Sequence, residues 1–175
     1  MTATVFPFRL VLGGARSGKT RHALACAEGL GPRRVMIATA EARDAEMAER
    51  IARHRAERGA GWRTVEAPLD LAEALAAAGP AEAILVDCLT LWLSNLMLAG
   101  RDPEAETAAL LAALGAAPAP VVLVSNEVGM GLVPETPLGR AFRDAQGRLN
   151  QRMAAAAGAV DFVAAGLALA MKGGR

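Results

Sequence analysis

The sequence predicts an α/β fold: a mostly parallel sheet with helices packed on both faces. Three observations predict it. Short apolar runs alternate with helical stretches along nearly the whole chain, the order in which strands and crossover helices come. Some runs are continuously apolar, as in Ala83-Ile84-Leu85-Val86, which is how strands buried on both faces read. Finally, residues 13–20, Gly-Gly-Ala-Arg-Ser-Gly-Lys-Thr, directly follow the run Leu10-Val11-Leu12. That is G-x-x-x-x-G-K-[ST] at the end of a strand, a phosphate-binding P-loop in its proper local context.

In chain order, strands are expected at 8–12, 34–38, 62–66, 82–87, 120–125 and 159–164, with a short last strand at 167–171. Helices are expected over 19–29, 44–58, 69–78, 89–99, 103–114 and 137–157. The last helix has the clearest start, because Thr136 can cap it and Pro137 suits the first helical position. Its stripe Leu138, Phe142, Ala145, Leu149, Met153 recurs at helical spacing and reads as core. Gly115 to Pro120 is a turn, and Gly173-Gly174-Arg175 a frayed tail.

At 175 residues the chain is long enough for one domain with a substantial core. Hydrophobic residues at 53% and charged residues at 21% argue against disorder. A net charge of +1 gives no broad basic field for nucleic acid. The start of the chain does not read as a secretory signal. No apolar run is long enough for a membrane span, so a cytoplasmic protein is expected. Cys26 and Cys88 lie in apolar stretches and read as buried thiols, with no Cys/His pattern for a structural metal.

In the P-loop, the glycines let successive backbone N–H groups point into one concavity. The helix that follows adds its partial positive charge. Lys19 is placed to reach the outer phosphates and Thr20 to offer its hydroxyl to Mg²⁺. Lys19 and Lys172 are the chain's only lysines among nineteen Lys plus Arg, so a lysine stands where a compact ammonium on a flexible stem is wanted. His22, in the first turn of the following helix, is expected to pack or hydrogen-bond locally.

Asp87 ends the run 83–86, and a parallel strand delivers its last residue to the carboxyl edge, where ligands bind. A carboxylate there can hold Mg²⁺ directly or through water, or cap the next helix. On a helix over 44–58, His54 shares a face with Met47 and Ile51, flanked by Arg50 and Arg55. It is either a dipole-compensating side chain or a nucleophile for a phosphorus centre. Asn126-Glu127-Val128-Gly129-Met130-Gly131 follows an apolar strand and belongs at the same edge. There Glu127 either serves metal or substrate, or caps a tight turn. Arg140 and Arg143 either reach phosphate or lie on an exposed helical face.

Together these residues resemble the bifunctional adenosylcobinamide kinase/adenosylcobinamide-phosphate guanylyltransferase family of cobalamin biosynthesis, over nearly the whole chain. The resemblance runs from the P-loop with Arg21-His22-Ala23, through Ile37-Ala38-Thr39, to Asp44, Glu46-Met47, Arg50-Ile51 and His54. It continues with Trp62-Arg63-Thr64 and Glu66. Its most distinctive part is 126–131 with Val133-Pro134-Glu135, Arg140, Phe142-Arg143-Asp144, Gly147 and Asn150-Gln151. It implies a RecA-like P-loop NTPase fold and a homotrimer. It also implies two reactions: phosphorylation of adenosylcobinamide with ATP or GTP, then transfer of GMP from GTP to that phosphate through a GMP–histidine. His54 falls on the histidine position, and Arg53 stands where some relatives carry a second histidine. Nucleotide contacts map onto Gly13, Gly14, Ala15, Arg16, Ser17, Gly18, Lys19 and Thr20. They continue through Ala38, Thr39, Ala40, Arg55, Ala56, Glu57, Arg58, Glu66 and Asp87. Lys19 joins His54 as catalytic, and Thr20 with Asp87 as metal ligands. Thr20 stands where relatives often carry Ser, and Asp87 where some carry Glu. The residues alone leave two alternatives open: another small-molecule kinase in which His54 is structural, or a nucleotide-dependent switch without catalysis.

Overall fold

The computed structural model describes residues 6–41 and 61–173. Six parallel strands are β1 (Phe6–Gly13), β2 (Arg34–Ala38), β3 (Trp62–Glu66), β4 (Ala83–Asp87), β5 (Val121–Asn126) and β6 (Ala157–Ala164). A seventh, β7 (Leu167–Lys172), turns back antiparallel to β6. They form one sheet in the order β3-β2-β4-β5-β1-β6-β7. Every expected strand is present, with ends shifted by no more than two residues.

The described helices are α1 (Lys19–Glu28), α2 (Leu71–Ala76), α3 (Leu89–Leu98), α4 (Pro103–Gly115) and α5 (Pro137–Ala156). α2 is shorter than the expected 69–78 because Asp70 occupies its N-cap and Gly79-Pro80 follows closely. Two starts use the same device. The Asp102 carboxylate accepts the Glu104 N–H at 2.9 Å ahead of Pro103, and the Thr136 hydroxyl accepts the Gly139 N–H at 3.1 Å ahead of Pro137. The helix expected over 44–58 and the tail residues 174 and 175 lie outside the described residues. No helix among the described residues is long and apolar enough to cross a membrane.

Apolar side chains from the two sides of the sheet feed separate cores. On one side Leu10, Ile37, Ile84, Val86 and Leu123 meet Leu75, Trp92, Leu96, Leu110, Leu149 and Met153 of α2 to α5. On the other, Val11, Met36, Leu85 and Val124 meet Ala23 and Ala27 of α1. The strands are apolar on consecutive positions because both faces are covered.

The α5 stripe is core only in part. Ala145, Leu149 and Met153 are buried and Phe142 packs against them, but Leu138 is 58% exposed. Helical spacing gives the side a residue lies on, not how far the helix outruns the core. Asn150 reaches Asn126 at the carboxyl end of β5, while Ala157 pairs with Phe6 at the opposite end. The thirteen residues before Asn150 span about 20 Å at the helical rise, so the start of α5 projects past the sheet edge. Truncation should separate the two ends: Met153→Ala is expected to cost about 2–5 kcal/mol in urea unfolding, and Leu138→Ala no more than about 0.5 kcal/mol.

Candidate active site

Register places the end of every parallel strand from β1 to β5 on one edge. Glu66 pairs with Ala38, Ala38 with Asp87, and Asp87 with Val124, while Gly13 pairs with Asn126. Thr39 and Ala40 follow Ala38 directly. The described candidates therefore share one edge. β5 separates the P-loop strand from the Asp87 strand, a lateral offset of about 10 Å at two strand spacings. His54, Arg55, Ala56, Glu57 and Arg58 lie outside the described residues.

The loop between β1 and α1 is wound tightly. Arg16 has φ +56° and Gly18 φ +94°, the left-handed region that turns successive N–H groups inward. Ser17 N–H donates to Gly14 C=O at 3.3 Å. Lys19 starts α1 and is 9% exposed, its Nζ donating to Gly14 C=O at 3.1 Å. The ammonium is thus folded back over the loop, with Thr20 beside it in the first turn.

Long-range contacts hold this shape, and sequence gave no sign of them. A Cβ on Gly13 would meet both Ser17 Oγ and Val163 C=O of β6 at 2.5 Å, a contact only glycine permits. The β6–β7 turn braces the loop, with Gly166 N–H donating to Ser17 C=O at 2.8 Å. On the other flank, Glu127 N–H donates to Gly13 C=O at 3.1 Å.

Thr39 is fully buried, and its hydroxyl is engaged with the backbone after Asp87. It donates to Cys88 C=O at 2.7 Å and accepts from Cys88 N–H at 2.8 Å. Its own N–H donates to Asp87 C=O at 3.1 Å, and Asn95 on α3 donates to its carbonyl at 2.9 Å. Thr39 thereby fixes the segment that carries Asp87. The buried Cys88 thiol senses both halves of the edge. Burial first, then the Asp87 charge, pushes it up to about 11, while Lys19 pulls the other way.

Glu127 is a turn anchor. Its carboxylate accepts Gly129 N–H at 2.6 Å and Met130 N–H at 3.1 Å. Arg143 donates to Gly129 C=O at 2.5 Å, and Arg140 to Pro134 C=O at 3.1 Å and Glu135 C=O at 2.7 Å. At the root of this loop Ser125, Gln146 and Asn150 form a mostly buried network. Gln146 donates to Ser125 Oγ and Asn150 Oδ1, each at 3.0 Å, and Asn150 donates to Asn126 C=O at 3.0 Å.

His22 makes the expected local contact, with Cys26 one turn on, and also finds a partner far along the chain. Its Nε2 lies 2.8 Å from Asp161 of β6, whose same oxygen accepts from Arg9 at 2.6 Å. Cys26 stands 3.6 Å from that imidazole and is half-buried, against the expectation of a buried thiol. Burial, countered by Arg9 and aided by Asp161, raises its pKa. The three donor atoms of His22, Cys26 and Asp161 lie within 4.8 Å of one another, a cluster that sequence spacing did not reveal. Arg9 already neutralises its carboxylate.

A parallel sheet with a phosphate loop after its first strand, and a carboxylate strand set one strand further across, defines a RecA-like P-loop nucleotide-binding protein. The KaiC-like protein PH0186 of Pyrococcus horikoshii OT3 has a similar fold, at TM-score 0.51 over 91% of this chain and 72% of that one, with 15% identity. The family model for cobinamide kinase / cobinamide phosphate guanyltransferase matches residues 9–171, and the chain belongs to that family. It is 49% identical to the bifunctional adenosylcobalamin biosynthesis protein CobP of Pseudomonas aeruginosa, over 94% of this chain and 96% of that protein. It is 46% identical to the protein of the same description, CobU, from Salmonella typhimurium, over 93% of this chain and 98% of that one.

The two leading glycines of the loop should respond differently. Gly13→Ala forces Val163 or Ser17 to move and is expected to cost about 1–3 kcal/mol and to weaken GTP binding. Nothing lies within 4 Å of a Cβ on Gly14, so Gly14→Ala should leave stability within about 0.5 kcal/mol. Urea unfolding and equilibrium GTP binding on both variants check this.

Proposed function

We propose that this chain phosphorylates the aminopropanol hydroxyl of adenosylcobinamide with ATP or GTP, then converts the product to adenosylcobinamide-GDP with GTP. The observation that carries the reading is the match to both halves of the family's activity over residues 9–171, on a fold that aligns an intact P-loop with Asp87.

In the first reaction the substrate hydroxyl attacks the γ-phosphorus and the nucleoside diphosphate leaves. This chemistry asks for alignment and charge neutralisation rather than covalent catalysis by the protein. The loop amides and Lys19 supply positive charge around the outer phosphates. Thr20 hydroxyl and Asp87 carboxylate are hard oxygen donors on the same edge and fit Mg²⁺, which when bound neutralises charge on the phosphates.

In the second reaction the His54 imidazole attacks the α-phosphorus of GTP and pyrophosphate leaves. The phosphate of adenosylcobinamide phosphate then displaces the imidazole from GMP. Arg50 and Arg55, near His54 in the sequence, would offset charge on the crowded phosphorus and favour the neutral, nucleophilic imidazole. Residues 55–58, with Ala38, Ala40 and Glu66, are read as nucleotide-contacting on the family's pattern, and the fully buried Thr39 as their backbone support.

The trimer implied by the resemblance has a suitable surface in β7, an edge strand whose Leu167, Leu169 and Met171 are 64–76% exposed. An unpaired apolar edge invites association. Consumption of nucleoside triphosphates suits the cytoplasm.

Incubation with α-labelled GTP and Mg²⁺ tests the transferase. The wild type should gain an acid-labile label that His54→Ala lacks, while the variant keeps kinase activity; undiminished labelling of the variant removes His54 as nucleophile. Lys19→Ala should lower both activities by roughly a hundredfold or more, measured by corrinoid product formation. In sedimentation, Leu169→Lys should shift a trimer toward monomer.

A further inference from the structure

The segment between β5 and α5 inverts the usual economy of a surface loop. Glu127 within it, and Arg140 and Arg143 on α5, are turned onto its backbone, and its large apolar side chains face outward. Glu127 holds the N–H groups of Gly129 and Met130, Arg143 holds Gly129 C=O, and Arg140 holds Pro134 and Glu135 C=O. Met130 is 80% exposed, Leu132 97% and Val133 65%. The apolar surface continues over Leu138 and Leu98, each 58% exposed, into a groove of about 280 Å³ between α3 and α5 lined by Met97, Leu98, Leu138 and Phe142.

This surface starts at the phosphate cradle. Asn126 pairs with Gly13, and Glu127 N–H bonds Gly13 C=O. It extends outward on the projecting start of α5. Phosphoryl transfer requires the acceptor hydroxyl beside the terminal phosphate and in line with it, so the body of the acceptor must rest on a surface adjoining the cradle. Resting on the functional reading above, that acceptor is a corrinoid: a broad, largely hydrocarbon macrocycle edged with amides. Its flat face suits exposed Leu, Val and Met, and its amides suit the carbonyls and N–H groups of an irregular loop.

We propose that residues 127–138 form a preformed ledge that docks the corrin ring of the acceptor, with Leu132 and Val133 as its contact face. Glu127 and Arg143 are its positioning residues, fixing the loop so that the ring lies flat against the cradle. A second copy of the chain has the separate apolar face of β7 available. The struts matter because an unheld ten-residue loop would have to be ordered anew at each binding event.

The test uses the full-length protein with adenosylcobinamide and saturating GTP. The double variant Leu132→Ser, Val133→Ser should raise the KM for adenosylcobinamide by roughly tenfold or more. Its kcat should stay within about twofold and its GTP affinity should be unchanged, as expected for loss of uniform binding. Arg143→Gln should act in the same direction, and Arg143→Lys should restore part of the loss. Direct binding of adenosylcobinamide, followed by its visible absorbance after ultrafiltration, should weaken in parallel. An unchanged corrinoid KM in the double variant, with wild-type turnover intact, overturns the ledge. A raised KM accompanied by a smaller species in sedimentation also overturns it, making the loop a subunit contact. If the wild type turns over no adenosylcobinamide under any condition, the functional reading falls first and takes the ledge with it.

Discussion

The close approach of β6 to the phosphate loop at Gly13 is the constraint on which the site depends. No side chain fits between that residue, Ser17 Oγ and Val163 C=O. Beyond it the chain turns sharply, with Arg16 and Gly18 in the left-handed region. A hydrogen bond from Gly166 then ties the loop to a hairpin nearly 150 residues downstream. The cradle is thus tied directly to the sheet. Donors aimed in advance at a developing charge need no reorganisation at the moment of reaction, which is what makes such electrostatic stabilisation large.

Strand order extends the same logic to the rest of the edge. With β5 between β1 and β4, the backbone of Asp87 lies about two strand spacings across the edge from the phosphate loop. The segment that carries Asp87 is held by Thr39, whose hydroxyl bonds both the C=O and the N–H of Cys88. The opposite flank is held by Ser125, Gln146 and Asn150, which bind the root of the 127–136 loop to α5. Buried hydrogen bonds of this kind are costly when broken, because each leaves a polar group without water. They suit positions where geometry matters more than packing area. α5 thus acts as a beam: its middle carries the buried network, and its projecting start carries Arg140 and Arg143.

The architecture was legible because its elements carry local signals. Strands buried on both faces are written as continuous apolar runs, and 83–87 and 121–124 could be read directly. The α5 start was legible because Thr136-Pro137 is a capping signal with a mechanism. The phosphate loop was legible because its chemistry fixes four positions within eight residues. What stayed hidden was tertiary hydrogen bonding. Nothing local in Thr39 points to Cys88, nothing in His22 to Asp161, and nothing in Gly166 to Ser17. Glu127 shows the same gap at short range: a carboxylate beside two glycines serves a ligand or its own turn equally well, and only coordinates separate the two. Leu138 misled because periodicity reports which side of a helix is apolar and is silent on where the core beneath it stops.

The fixed cradle also bears on how one site serves two reactions under the proposed function. Attack at the γ-phosphorus builds charge on the β-phosphate of the departing diphosphate. Attack at the α-phosphorus builds it on departing pyrophosphate, the β- and γ-phosphates together. Both leaving groups include the β-phosphate, which a P-loop and its lysine grip. The cradle therefore has no need to change shape between the two steps, and its rigidity costs nothing. What must differ is the nucleophile's approach: a hydroxyl from beyond the γ-phosphate in one case, an imidazole from the nucleoside side in the other. The immobile element stabilises what is common to both transition states, and the variable geometry is left to the acceptor's ledge and the histidine segment.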